Sequence, residues 1–445
     1  MRAESRLSWL AVAAASGLCA AVSAVGADAR WLAAIGQVVA HAGHIPSAIP
    51  YAAARSRDWV DVPVLGQLVF HWLYRLDGER ALLVAQAVAV AATLILVLRD
   101  MRAAGASDRS RALVIASLPF AAVSSLFIVR AQLFSLPLFA LTMLLLRSEA
   151  RAPSRRLWLL VPLIALWSNL HGAVLIGLAV ATAYLLFDRV RVQRLTALAV
   201  LAASCAALFA TPALARTGEY YLGVLHSVPA KTGFGLWAPL SLRNPLDVVF
   251  LVVAIPLVWL ALRSRPRVWE TVSLVVLAGA TLHVGRNSVW LALFLAVPAA
   301  AGLRLGTGRP LRGAVFACAW AVPLVLVVVG FVRTPPQTVA GDALRGDAAQ
   351  LAAGRPILAD AEDAERFALD GRRVWIANPI DAFDRADQQL YLNWLEGKPA
   401  GDALLRRSNV VVVQVRSKAQ RRLAGNRAFR EVERDSAAVL YTRAR

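Results

Sequence analysis

The sequence predicts a polytopic α-helical membrane protein, with about eleven transmembrane helices and a small α/β domain at its C-terminal end. Three observations predict it. Hydrophobic residues fill 58% of the 445 positions and charged residues only 17%, a balance more apolar than soluble domains show. Charges nearly vanish from segments at about 7–25, 81–98, 112–129, 131–146, 157–170, 172–187, 195–213, 248–262, 271–284, 288–303 and 313–332, several of them as long as the roughly 20 residues of a spanning helix. From residue 336 the composition turns to mixed charges and short apolar runs.

The net charge of +20 would point to nucleic acid or an anionic surface if it were spread over a soluble fold. Its placement says otherwise. With a cytoplasmic N-terminus, the short inner loops hold Arg2 and Arg6, Arg99 to Arg111, Arg147 to Arg156, Arg189 to Arg194, Arg263 to Arg267, and Arg304 to Arg312. The outer loops carry a more even balance of signs, as the positive-inside rule expects. The basic excess is therefore topological, and no nucleic-acid partner is expected.

The first segment, Leu7–Ala27, is an uncharged run of spanning length and is expected to be kept as a helix. It also has secretory-signal character, with small residues at Ala24–Ala27, and cleavage would leave the same topology with one helix fewer. Cys19, Cys205 and Cys318 all lie in apolar segments, as small packing residues do, and form neither a disulfide framework nor a zinc motif.

Residues 1–335 are read as the transmembrane domain, with two long outer loops at 28–80 and 214–247; residues 336–445 are read as the extracytoplasmic domain. In the first loop, Trp31, Leu32, Ile35, Val38 and Val39 recur at helical spacing, which predicts an interfacial helix over Trp31–Ala42 ending at Gly43 and Pro46. The turn-rich remainder carries Arg55, Arg57, Asp58 and Asp61. In the second loop, Glu219, Tyr220, Tyr221, His226 and Trp237 either recognise a polar acceptor or, for the aromatics, form an interfacial belt.

In the C-terminal domain, strands are expected at Pro356–Ala359, Val374–Ala377, Val410–Val415 and Ala438–Thr442. Helices are expected at Asp363–Leu369, Ala386–Glu396, Asp402–Arg407 and Lys418–Gly425. That alternation argues for an α/β fold. The basic run Arg416–Arg430 is read as a solvated helix face, with contact to anionic headgroups as the alternative.

Three helix pairs are joined by tight polar tips, all outward on this topology: Val129-Arg130-Ala131-Gln132, Trp167-Ser168-Asn169-Leu170-His171-Gly172 and His283-Val284-Gly285-Arg286-Asn287. Ionisable groups near membrane depth are costly and face a cavity or a partner. Arg130, His171, His283 and Arg286 can together receive an anion, and arginine suits phosphate because its planar fork donates paired hydrogen bonds. Gln132, Asn169 and Asn287 complete the candidate pocket. The plainer alternative makes the arginines interfacial anchors, and Asn169 and His171 caps or bridges.

Asp28 follows the first spanning segment and is a candidate general base toward an acceptor hydroxyl. Asp58 and Asp61 either share that role, hold a divalent cation through oxygen ligands, or are simply solvated. No metal site is assigned.

At these residues the chain resembles the GT-C glycosyltransferase superfamily of bacterial polytopic membrane proteins, in a branch with an extracytoplasmic C-terminal domain. The resemblance rests on Asp28-Ala29-Arg30-Trp31, Gly43-His44-Ile45-Pro46, Trp59-Val60-Asp61, Arg130-Ala131-Gln132-Leu133-Phe134, Trp167-Ser168-Asn169-Leu170-His171-Gly172 and Arg286-Asn287. It implies transfer of a sugar from a polyprenyl-phosphate donor at the outer face of the cell membrane, with Asp28 at the position of the base.

The pattern also departs from that family. Leu32 stands where a histidine usually follows the tryptophan, Val62 and Val64 replace a histidine and a tryptophan, and Leu236 replaces an acid. Either the site is reduced to Asp28 and Asp61, or catalysis is lost and a scaffold for envelope polysaccharide remains. A transporter or flippase would instead need a polar path from both sides, and the polar residues gather on one.

Overall fold

A computed structural model describes residues 6–56, 58–306, 313–334 and 336–444, with the backbone alone from 313 to 317. Arg2, Arg57, Arg309 and Arg312 lie outside the described residues. All eleven apolar segments fold as helices: Arg6–Val22, the later part of Val64–Ala103, Asp108–Ala121, Gln132–Arg151, Leu160–Ser168, Val174–Phe187, Arg194–Ala207, Pro245–Arg263, Val268–His283, Ser288–Gly302 and Gly313–Val332.

Three helices, Val64–Ala103, Gln132–Arg151 and Pro245–Arg263, are long and apolar enough to cross a membrane; Arg6–Val22, Arg194–Ala207, Val268–His283 and Cys318–Val332 are apolar but shorter. The polar tips cause part of the shortening, since the α-helices are interrupted at 169–173 and again at 284–287, where Gly285–Asn287 form a 3-10 turn.

The chain divides into two compact units. The first comprises Met1–Ser23, Leu83–Leu214 and Gly233–Thr334; the second comprises Ala24–Leu82, Ala215–Thr232 and Pro335–Arg445. Residue 335, where composition changes, is one edge of this division. Much of the two long loops belongs to the second unit.

The first unit is a helical bundle that uses small residues where helices meet closely. A Cβ on Gly330 would lie 2.6 Å from the Ala20 carbonyl oxygen, and one on Gly302 would lie 1.9 Å from that of Leu260. Without a hydrophobic drive between helices in lipid, such close backbone approach is a main source of cohesion. Asp108 accepts hydrogen bonds from the Leu7 and Ser8 N–H groups at 2.9 and 3.2 Å, satisfying donors that the start of the first helix leaves over.

Away from the tips, several buried charges of this unit are paired. Arg147 meets Asp100 at 3.1 Å and Glu270 at 3.2 Å, and Arg189 lies 3.7 Å from Glu149. An unpaired charge there would carry a large desolvation cost.

The second unit is built on a four-stranded sheet in the order 358–359, 410–414, 438–443, 429–434, with the first pair parallel and the others antiparallel. Val374–Ala377, expected as a strand, makes only isolated bridges, with Ala52 and Ile357. The first long loop joins the domain there. Ala53 N–H donates to the Val374 carbonyl, and Val374 N–H to that of Tyr51, both at 2.9 Å.

The helix Ala27–Ala42, four residues longer at its start than periodicity suggests, packs against Ala361–Leu369. Two elements were not expected: the helix Asp342–Ala352 and the strand Phe429–Arg434, whose burial pattern is largely exposed. The second long loop contributes Thr217–His226 and Val228–Thr232, and the Val228 N–H donates to Gln388 Oε1 at 2.9 Å.

Candidate functional site

In the first unit the second tip is organised by a chain of hydrogen bonds. Trp167, fully buried at the end of Leu160–Ser168, donates its indole N–H to Ser135 Oγ at 2.7 Å, and Ser135 Oγ lies 2.7 Å from His171 Nδ1. An indole nitrogen can only donate. Ser135 therefore accepts from Trp167, and because the Ala173 N–H points at His171 Nδ1, at 3.4 Å, that nitrogen acts as an acceptor and receives the Ser135 proton. The ring proton is left on Nε2, fixing one tautomer.

Burial, together with the positive charges of Arg286 and Arg130, pushes the His171 pKa down to about 3. The structure thus brings Arg130, His171 and Arg286 into one electrostatic neighbourhood. At neutral pH the imidazole there is an uncharged Nε2–H donor beside two guanidinium groups that do not titrate.

Arg286 has a further partner. Its guanidinium carbon sits 3.8 Å from the centre of the Trp237 ring, a cation–π contact. The loop carrying Trp237 is held to the third tip by the Gly285 N–H, which donates to the Ala238 carbonyl at 2.9 Å. A residue read as part of an aromatic belt therefore positions an arginine.

The remaining tip residues do other things. Asn287 Nδ2 donates to the Ala280 carbonyl at 3.0 Å and ties off the helix before it. Asn169 Nδ2 donates to the carbonyls of Ala165 and Ala210, at 2.8 and 2.7 Å, bridging two helix ends. These are the capping and bridging roles of the plainer reading. Gln132 is half-buried in the first turn of its helix, and His283 is exposed in the last turn of Val268–His283.

In the second unit, Asp28 lies half-buried in the first turn of Ala27–Ala42, where a carboxylate complements the helix dipole. Its charge bears on Glu365. Burial drives the Glu365 carboxyl well above the usual range, only partly offset by the Asn378 N–H at 2.8 Å and reinforced by the charges of Asp28 and Glu362.

The neighbouring Arg30 is 1% exposed and donates to Glu79 at 2.8 Å, Glu362 at 2.9 Å and Thr338 at 2.9 Å. It pins the helix that carries Asp28.

Asp61 is 4% exposed; its Oδ1 accepts from Gln67 Nε2 at 2.7 Å, and burial pushes its pKa up to about 7. Asp58 is exposed and adopts a left-handed backbone, with φ of 58°. The two aspartates sit in opposite environments. Among the described residues, no three His, Cys, Asp or Glu side chains gather to hold a metal ion.

Sequence reasoning missed Ser135, an isolated hydroxyl in an apolar helix, and Glu365, which lies far along the chain from Asp28. A serine at a membrane-helix interior position is itself a signal, because such hydroxyls need partners.

No protein-family model matches the chain, and no curated protein does. The fold is similar to the cryo-EM structure of a mutant form of the arabinofuranosyltransferase AftD from mycobacteria, with a TM-score of 0.54 and 17% sequence identity. The match covers 98% of this chain and 41% of that one, so the chain spans about two fifths of AftD's length. At that identity the likeness is one of fold alone.

Proposed function

We propose that this chain is a membrane glycosyltransferase that moves a sugar from a polyprenyl-phosphate-linked donor to an acceptor in the cell envelope, at the outer face of the membrane. The observation that carries the reading is the convergence of Arg130 and Arg286 on a neutral, tautomer-fixed His171, on a fold similar to that of an arabinofuranosyltransferase.

A glycosyl phosphate needs its leaving phosphate stabilised as the bond from the anomeric carbon breaks. Two guanidinium groups and an Nε2–H donor supply that. Asp28 is assigned to take the proton of the acceptor hydroxyl as its oxygen bonds to the anomeric carbon, and polyprenyl phosphate departs with the electron pair. On this reading about eleven helices span the membrane, the N-terminus is cytoplasmic, and the C-terminal domain is extracytoplasmic.

Asp61 fits a general base less well than Asp28. It is closed off from solvent and held by Gln67, so the proposal assigns it to holding the first loop.

A second reading, a non-catalytic scaffold for envelope polysaccharide, draws support from Leu32, Val62, Val64 and Leu236, which stand where related proteins carry ionisable or aromatic groups. Transfer of labelled sugar from polyprenyl-phosphate donors into membranes containing the chain separates the two.

A further inference from the structure

A cavity with charged lining residues lies in the first unit, at the ends of the helices opposite the tips. Arg147 and Arg151 close the helix that begins at Gln132, and the turn at 264–267 joins Pro245–Arg263 to Val268–His283, whose other end leads to Arg286. Together they border a cavity of about 200 Å³. Nothing in the proposed transfer reaction uses it.

The charges around this cavity are unevenly satisfied. Asp100 receives both Arg147, at 3.1 Å, and Arg151, at 3.3 Å; Arg147 also meets Glu270 at 3.2 Å, and Arg267 meets Asp188 at 3.1 Å. Among the described residues no carboxylate pairs with Arg265, which lines the cavity and is exposed. Its backbone is left-handed, with φ of 56°, a conformation that glycine adopts freely and an L side chain rarely does. The chain keeps an uncompensated arginine where glycine would fit the backbone better, and strain of this kind often accompanies a functional demand.

The helix Ser288–Gly302 adds apolar lining through Val297 and Ala301. A cavity lined by both guanidinium groups and aliphatic carbon, at the end of a helical bundle read as membrane-spanning, matches a phosphodiester joined to a glycerol backbone.

We propose that this cavity binds the headgroup of an anionic phospholipid, with Arg265 and Arg151 holding the phosphate and Val297 and Ala301 bordering the start of its glycerol and acyl portion. Basic pockets at the ends of spanning helices take such headgroups, and each arginine near the surface contributes about a fivefold gain in affinity. The proposal needs the helices to span a membrane, and it does not depend on sugar transfer.

The test uses the full chain in nanodiscs of phosphatidylcholine doped with phosphatidylglycerol, with the lipid retained after detergent extraction read by native mass spectrometry. Wild type is expected to keep phosphatidylglycerol in preference to phosphatidylcholine. Arg265→Gly suits the local backbone, so it should unfold at the same or a higher temperature while losing that preference by about fivefold.

Equal retention by wild type and Arg265→Gly overturns the proposal, as does equal retention of the two lipids by wild type. Stabilisation by millimolar inorganic phosphate as large as that by phosphatidylglycerol would show a site for free phosphate and also overturn it.

Discussion

Ser135 holds His171 in a single tautomer: its hydroxyl accepts from Trp167 and donates to Nδ1 across 2.7 Å. Because burial, and after it the charges of Arg286 and Arg130, keep that ring uncharged, the site's positive charge resides on the guanidinium groups. Imidazole nitrogen NMR of the wild type should show a neutral ring, protonated on Nε2, from pH 8 down to pH 5. Ser135→Ala should mix the tautomers and weaken sugar transfer about tenfold, the worth of one buried hydrogen bond.

Gly177 controls the same chain from a distance. A Cβ there would lie 2.3 Å from the Trp167 ring, which has no free space because the indole is fully buried. Gly177→Ala should displace the indole, move the Trp167 indole N–H resonance and lower transfer at least as much as Ser135→Ala, at a cost of about 1–3 kcal/mol in stability. An unmoved Trp167 indole resonance, assigned by its loss in Trp167→Phe, would mean that the ring is not held as described.

Arg30 should matter for folding of the second unit rather than for chemistry. Its guanidinium is buried and saturated by Glu79, Glu362 and Thr338. Arg30→Met takes a buried partner from Glu79 and Glu362, which are themselves partly exposed, and Glu79 keeps Arg366 at 3.8 Å, so the loss is about 1–3 kcal/mol. Limited proteolysis should then cut within residues 335–445 much faster than in wild type, and Arg30→Lys should rescue only part, because lysine cannot present the same fork.

Asp61 gives a pH signature with a definite sign. Its pKa in the folded chain is raised to about 7, so between the ordinary carboxylate range and about 7 the folded state binds a proton that the unfolded state has lost. That contribution is fully present below the unfolded pKa and disappears as pH rises through 7. The thermal stability of wild type should therefore fall from pH 5 to pH 8 relative to that of Asp61→Asn. Retained transfer by Asp61→Asn would fit its assignment to the loop.

The helices were legible because each apolar segment is a local signal, and the tips because polar residues between such segments stand out. Arg130, His171 and Arg286 could be singled out on that ground alone. Their organisation could not. Ser135 lies 36 residues from His171, and the partners of Arg30 lie 49, 308 and 332 residues away, distances that no periodicity encodes.

The strand Phe429–Arg434 was hidden because Arg430, Glu431 and Arg434 are exposed, so its sequence reads as a solvated segment. It is the edge strand of the sheet, and charged side chains there discourage pairing with other chains. Val374–Ala377 misled in the opposite sense, being apolar and buried yet only bridging.

The central claim is sugar transfer assisted by Arg130, His171 and Arg286, with Asp28 as base. Its most direct test measures incorporation of labelled sugar from polyprenyl-phosphate donors by the wild type, Asp28→Asn and Arg130→Ala, reconstituted at equal amounts of folded protein. The account predicts transfer by wild type and losses of roughly 100-fold or more in each variant. Equal transfer by all three, or none by any with every donor tried, would contradict it.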